Sequence, residues 1–115
     1  MKTQIESSMM ENGLYKRKGI KMNTFFGSTF IKQEVLEEAR IDYPIKLEYY
    51  KMKEGEKFGI EIVKKEYRKE GTQIDNEQKE NVSKDEKEIE RILKTLEQNE
   101  VTPMGLEEIL NDLVV

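Results

Sequence analysis

Carboxylates are the only abundant side chains in this sequence that could perform acid–base or metal chemistry. The 115 residues include 24 Asp and Glu but neither Cys nor His, so thiolate nucleophiles, imidazole bases and nitrogen or sulfur metal ligands are absent. Glu37 with Glu38, and Glu107 with Glu108, suggest acid–base pairs or hard-cation sites. Adjacent side chains, however, point to opposite faces of a strand and diverge by about 100° on a helix. We therefore expect no enzymatic activity, no cofactor and no metal.

The loops that bind nucleotides and calcium in other proteins do not occur in this sequence. Its seven glycines are scattered, and neither G-x-G-x-x-G nor G-x-x-x-x-G-K-[ST] is found. Asp75, Asn76 and Glu77 match a calcium loop over three positions only, without its central Gly or terminal Glu. The sequence therefore supports neither nucleotide nor calcium binding.

A cluster of cations near the N-terminus is the strongest nucleic-acid signal. This candidate polyanion arm consists of Lys16, Arg17, Lys18 and Lys21. Such cations neutralise phosphates, and Tyr15 could stack on an unpaired base. Residues 1–33 carry six basic and two acidic residues, whereas residues 67–115 carry seven basic and thirteen acidic residues. The acidic part of the chain would repel the polyanion that the arm attracts. Nucleic acid or an anionic membrane is therefore the alternative partner, and a protein partner or homo-oligomer is preferred.

Length and composition fit one modest domain. Charged residues make up 38% of the chain and hydrophobic residues 36%, which leaves material for a single core. No run approaches the roughly 20 apolar residues that span a bilayer, and the N-terminus lacks the pattern of a secretory signal. We expect a cytoplasmic protein without a membrane span.

Residues 1–30 are predicted to be a disordered, basic N-terminal segment, followed by a single α+β domain over residues 31–115. The segment is rich in Ser, Asn and Gly and shows neither a two-residue nor a 3.6-residue apolar period. Phe25, Phe26 and Phe30 are the exception, because three aromatic side chains so close together could dock on the domain.

Residues 31–41 fit two patterns at once. Helical spacing is shown by Ile31, Val35, Leu36 and Ala39. Strand alternation is shown by Val35, Glu37, Ala39 and Ile41. We prefer a strand over residues 34–41, because Pro44 turns the chain directly into another extended run. A helix is the open alternative.

Two clearer strands follow. The apolar residues that alternate with polar ones are Ile45, Leu47 and Tyr49 in the first run and Phe58, Ile60 and Ile62 in the second. A two-residue turn at Glu54-Gly55 sets Tyr49 against Ile60, and a slip of two residues is the open alternative because it separates Glu48 from Glu61. Residues 68–81 are predicted to be a polar loop, with a short further strand near residues 78–82.

Two helices are predicted at the C-terminus. Ser83 and Glu86 form a capping box before the first helix, which should end near Asn99. Thr102 and Pro103 then begin the second helix. The apolar positions at helical spacing are Ile89, Ile92, Leu93 and Leu96, then Leu106, Ile109, Leu110 and Leu113. The predicted fold is α+β: a small antiparallel sheet of three or four strands, packed against a C-terminal two-helix hairpin.

The C-terminal part of the chain resembles a known family. The motifs are Ile45-Lys46-Leu47-Glu48-Tyr49-Tyr50, Phe58-Gly59-Ile60-Glu61-Ile62, Asn99-Glu100-Val101-Thr102-Pro103 and Ile109-Leu110-Asn111-Asp112-Leu113. As an ordered set over roughly residues 34–115 they resemble small uncharacterised proteins of clostridia and related Firmicutes, a domain of unknown function. The resemblance implies a shared fold and a bacterial cytoplasm, and it supplies no catalytic residues.

One face of the predicted hairpin is a candidate partner surface. With the alternating apolar residues committed to the core, the opposite side receives Tyr50, Met52, Val63 and Tyr67. Lys46, Glu48, Glu61 and Lys65 surround them as a polar rim. An apolar centre within such a rim is typical of a contact patch, so we predict a non-enzymatic protein-interaction or regulatory module.

Overall fold

The computed structural model describes residues 21–113, which form an α+β fold. The elements are β1 (Lys21–Phe30), α1 (Gln33–Glu38), β2 (Ile45–Glu54), β3 (Lys57–Arg68), β4 (Gly71–Ser83), α2 (Glu86–Gln98), a 3₁₀ turn (Pro103–Gly105) and α3 (Leu106–Leu113). The four strands form one antiparallel sheet in the order β1-β2-β3-β4. The predicted α+β class is therefore confirmed, and the sheet has four strands where three or four were predicted.

The β2–β3 hairpin turns at Gly55-Glu56, one residue later than predicted. Gly55 has a φ of +64°, whereas the φ of Glu56 is not positive. A positive φ at the first of the two turn residues alone is the pattern of a type II′ turn. Glu54 consequently pairs with Lys57, and Tyr49 pairs with Ile62 instead of Ile60. The pairing is the two-residue slip that the sequence left open, and it separates the two carboxylates that the first register set face to face.

Strand β1 corrects the prediction that the chain is disordered up to residue 30. It pairs with β2 from Lys21 opposite Glu54 to Phe30 opposite Lys46. A bulge between Phe25 and Gly27 inserts Phe26 as an extra residue that packs against the core. The bulge interrupts the alternation, which is why no two-residue period is visible in the sequence. Residues 1–20 lie outside the described residues.

A short helix replaces the strand predicted over residues 34–41. Helix α1 buries Leu36 and ends where Arg40 adopts a left-handed φ of 60°. The next amide, that of Ile41, donates to the Leu36 carbonyl at 2.8 Å and closes the helix. Of the two patterns that the sequence offered, the helical one is correct.

Strand β4 replaces the loop predicted over residues 68–81. Its 13 residues pair with β3 from Arg68 opposite Gly71 to Phe58 opposite Ser83. It is an edge strand that is exposed along most of its length, so its side chains are polar on both faces and no apolar period marks it. Main-chain hydrogen bonds to β3 hold most of the strand in the sheet, and Val82 near its end packs against the core.

The core lies between one face of the sheet and the C-terminal helices. Its buried members are Leu47, Tyr49, Phe58, Ile60, Ile62, Ile89, Ile92, Leu93, Leu96, Leu106 and Leu110. The buried phenol of Tyr49 donates to the Val101 carbonyl at 2.9 Å, and Lys51 binds the carboxylates of Glu86 and Glu90. These polar contacts fix α2 and the segment after it to β2.

The ends of the helices differ in detail from the predicted ones. Asp85, not Ser83, is the N-cap of α2 and accepts from the Lys87 amide at 3.0 Å. Ser83 Oγ instead accepts from the Asp85 amide at 2.9 Å and donates to Glu88 at 2.6 Å. Helix α2 does end at Asn99, although Glu100 is the left-handed residue. The predicted two-helix hairpin is matched only in outline, because its second part begins as a 3₁₀ turn and α3 has eight residues.

Candidate interaction face of the sheet

The face of the sheet turned away from α2 and α3, called the outer face below, has no layer of described residues over it. Since Leu47 and Tyr49 are buried against the helices, Glu48 and Tyr50 project from the other side. The register then places on the same side Phe25 and Phe30 from β1, Val63 and Tyr67 from β3, and Ile74 from β4. The outer face therefore combines apolar residues from all four strands.

Large exposed apolar side chains concentrate on this face. Of the eight in the described part of the chain, four project from it: Phe25, Phe30, Tyr67 and Ile74. Their exposed fractions are 55%, 55%, 36% and 61%. Scattered apolar residues are ordinary on a protein surface, but a group on one face is typical of a contact site.

Aromatic contacts order this group. The rings of Phe25 and Tyr50 meet edge to face at 5.7 Å, and those of Phe30 and Tyr67 lie 6.4 Å apart and tilted. Tyr50 and Val63 are half-buried between them. Rings held in pairs lose little side-chain entropy when a partner binds, so the face is organised for contact before any partner arrives.

Glu48 is a buried carboxylate in the middle of the outer face. Its exposed fraction is 6%, and it accepts a hydrogen bond from the Tyr50 phenol at 3.0 Å. It also forms ion pairs with Lys65 at 3.1 Å and Lys46 at 3.5 Å. Desolvation opposes its ionisation, but the hydrogen bonds from Lys65, Tyr50 and Lys46 outweigh that cost and lower the pKa of Glu48 below its usual value. Glu48 is therefore an ionised anchor for two lysines.

Glu61 is the other carboxylate near the centre of the outer face. It accepts from the amide nitrogens of Asn23 at 2.6 Å and Asn76 at 2.8 Å. No Lys or Arg of residues 21–113 forms an ion pair with it. Neutral donors thus hold Glu61 in place without neutralising its charge.

Met52 is buried, with an exposed fraction of 3%, although the sequence placed it in the contact patch. Its partner in the register is Gly59, where an added Cβ would lie 2.5 Å from the Lys79 carbonyl oxygen. The backbone of β4 therefore bends over β3 at this point. The bend accompanies a shift of register, and it lets Glu80 form an ion pair with Lys21 at 2.7 Å from the opposite edge strand. This end of the outer face is closed, and Met52 lies beneath it.

The candidate polyanion arm is only partly within the described residues. Lys21 lies at the start of β1, where its hydrogen bond to Glu80 raises its pKa. Lys16, Arg17 and Lys18 lie outside the described residues. Of the four cations, the one that the structure places is thus already paired with a carboxylate.

The acidic pairs do not assemble into a site. Glu37, Glu38, Glu107 and Glu108 are all exposed, and they lie on α1 and α3. Among residues 21–113 no group of three or more Asp and Glu is close enough to hold a metal ion. The same range contains no helix of sufficient length and apolar character to cross a membrane.

Comparison with known families gives one match. Residues 22–115 match a family of unknown function, DUF6514. This chain belongs to that family. The DUF6514 match begins at residue 22 and so includes all of β1 except Lys21, whereas the resemblance seen in the sequence begins near residue 34. Neither the curated proteins nor the solved structures contain a match.

Sequence reasoning missed half of the outer face. Tyr50, Val63 and Tyr67 were found from strand alternation, and the structure does place them on one side of the sheet. The sequence shows that Phe25 and Phe30 are aromatic but does not predict where they lie, because the bulge between them conceals their common face. Ile74 carries no signal, since it is an isolated apolar residue with only polar neighbours in its strand.

Proposed function

We propose that this member of DUF6514 is a non-enzymatic protein-interaction module and that the outer face of its sheet is the contact surface. The observation that carries the proposal is the gathering of Phe25, Phe30, Tyr67 and Ile74, all exposed, around the half-buried Val63. Aromatic side chains are enriched in protein interfaces relative to the rest of the surface, and they supply many of the residues that dominate binding energy. The family resemblance adds the expectation of a bacterial cytoplasm.

The polar residues of the face support a macromolecular partner rather than a small substrate. Glu48 is committed to Lys46 and Lys65, and Glu61 to two asparagines. Groups fixed in this way give orientation to a docked protein, whereas a catalytic acid or base needs access to a reacting atom. The lack of Cys and His in the sequence supports the non-enzymatic reading.

A photo-crosslinking residue placed on the face tests the proposal. Incorporated at Tyr67, it should give a defined protein adduct in cells, and incorporated at Met104 it should give none. Met104 is the control because it is 93% exposed and lies in the 3₁₀ turn, away from the outer face.

A matched pair of variants ties the adduct to the face. Val63→Lys puts a charged side chain at the centre and should abolish the adduct, because its ammonium must lose its water before a partner can dock. Val35→Lys introduces the same change on α1, where Val35 is 46% exposed, and should leave the adduct unchanged. Equal adducts from both variants, with both folded by circular dichroism, would rule out this face.

A further inference from the structure

The outer face carries one excess positive charge and one excess negative charge at separate places. Lys46 and Lys65 lie directly opposite each other in the register of β2 and β3, and both pair with the single carboxylate of Glu48. One positive charge is left over at this position. Glu61, held by two neutral amides, leaves one negative charge further along the same face.

The spacing of these charges along β3 is symmetric about one residue. Glu61, Val63 and Lys65 are successive outer-face residues of β3, since every second residue of a strand shares a face. Val63 is therefore equidistant from the two charges, each about 6.6 Å away along the strand. A two-fold axis that runs parallel to the sheet and crosses β3 above Val63 therefore sets Glu61 of one copy opposite Lys65 of the other.

We propose that the partner of the outer face is a second copy of this chain, related by a two-fold axis near Val63. Glu61 of each copy pairs with Lys65 of the other, and the aromatic residues on either side pack between the sheets. This is an isologous contact, in which the same patch serves both copies and the association closes at the dimer. The proposal rests on the proposed function and specifies its partner.

The distribution of charge over the described residues favours contact through this face. Residues 84–113, which include the helices α2 and α3, hold nine acidic and four basic residues, a net charge of −5. Residues 21–83, which include the sheet, hold thirteen acidic and twelve basic residues, a net charge of −1. Two copies that approached through their helices would repel each other. Approach through the sheets brings together the nearly neutral layers, with opposite charges facing one another.

The size of the face is also sufficient. Strands of ten residues, about 3.3 Å per residue and about 4.8 Å apart, give a four-stranded face of roughly 600 Å² before side-chain relief is counted. A standard interface buries about 800 Å² per partner. The face therefore matches a reversible dimer rather than a crystal-type contact.

The wild-type protein gives the first test. Sedimentation equilibrium across micromolar to millimolar concentration should show a mass that rises from the 13.6 kDa of one chain toward twice that value. The dissociation constant should increase with salt, because the Glu61 and Lys65 pairs are partly exposed. A protein that stays monomeric throughout overturns the second-copy proposal without any variant being needed.

Charge reversal gives the second test and specifies the geometry. Glu61→Lys places two lysines opposite each other at both symmetric contacts, and Lys65→Glu places two carboxylates there, so each variant alone should dimerise at least about tenfold more weakly. An equimolar mixture should form a heterodimer, because each contact then joins Lys to Glu. Failure of the mixture to associate, with both variants folded, overturns the proposed axis.

Neutral variants cover the case in which a reversed charge unfolds the chain. Lys65→Gln, unlike Lys65→Glu, does not place a second carboxylate beside Glu48. Glu61→Gln keeps a side-chain oxygen that can accept from Asn23 and Asn76. Each should weaken the dimer and flatten its salt dependence; a dimer unchanged in both overturns the pairing. Crosslinking distinguishes the two proposals. If the chain is monomeric and forms an adduct with a different protein, the proposed interaction module stands and the proposal of a second copy as its partner is overturned.

Discussion

Tyr49 shows how one side chain joins two parts of this molecule. It is fully buried, and its phenol donates to the Val101 carbonyl in the segment that follows α2. Tyr49→Phe removes the donor and leaves the carbonyl without its partner, so we expect the free energy of unfolding to fall by about 1–2 kcal/mol. The matched control is Tyr43→Phe, which retains the ring under Arg68 and should change stability little. Chemical denaturation of both variants checks the difference, and equal stabilities would contradict it.

The same phenol predicts a loss of stability at high pH. Burial, together with the nearby carboxylates of Glu100 and Glu97, raises the pKa of Tyr49 well above its usual value. In the unfolded chain the phenol ionises at about pH 10, so the stability it contributes is complete below that pH and declines above it. Tyr49→Phe should show a shallower decline above about pH 10 in thermal melts, and parallel curves for both proteins would exclude this cause.

Prediction from sequence was accurate for residues whose environment is set by their own strand or helix. Leu47, Tyr49, Ile60 and Ile62 have exposed fractions of 0%, as alternation alone required. Met52 was misplaced because two of its neighbours, Lys21 and Glu80, which line the same small cavity, come from strands that the sequence did not reveal. The ion pairs of Glu48 with Lys46 and Lys65 could not be predicted either, because they depend on the β2–β3 register that the sequence left open.

At the scale of elements, β1 is part of the folded sheet, although it lies within the segment predicted to be disordered. It pairs with β2 along its whole length and contributes Phe26 to the core. A chain that begins at Ile31 should therefore melt at least about 10 °C lower than one that begins at Lys21, because it loses a strand and uncovers β2. Calorimetry of the two chains is the measurement. Equal melting temperatures would show that β1 adds no stability.

The elements that sequence patterns failed to reveal share a physical cause. An element is visible in sequence when one of its faces is buried regularly, as in α2, whose Ile89, Ile92, Leu93 and Leu96 all lie in the core. Strand β4 is held at its edge by backbone hydrogen bonds, and β1 changes phase at its bulge. Neither strand therefore has the regular period of apolar residues from which a strand is predicted.

At the scale of the whole molecule, charge is segregated by layer. The acidic helices account for most of the net −6 carried by residues 21–113, and Lys21 is already paired. We therefore expect no measurable binding of DNA or RNA at physiological salt, because the polyanion meets a repulsive domain. Fluorescence anisotropy at low and physiological salt measures this.

The control for that titration is the variant in which Lys16, Arg17, Lys18 and Lys21 are all replaced by Ala. It should match the wild type at physiological salt. Clear wild-type binding there, lost in the variant, would make polyanion recognition the leading function.

The strand order has a consequence for how the chain folds. Because β1, β2, β3 and β4 are neighbours in sequence as well as in the sheet, every pairing closes a short loop, and the last two need turns of only two residues. Such local topology favours rapid folding. During synthesis the complete sheet precedes α2 and α3, so the nascent chain exposes its inner apolar face until those helices emerge. At that stage the molecule is most liable to aggregate, and its last thirty residues act as the cover for surfaces already formed.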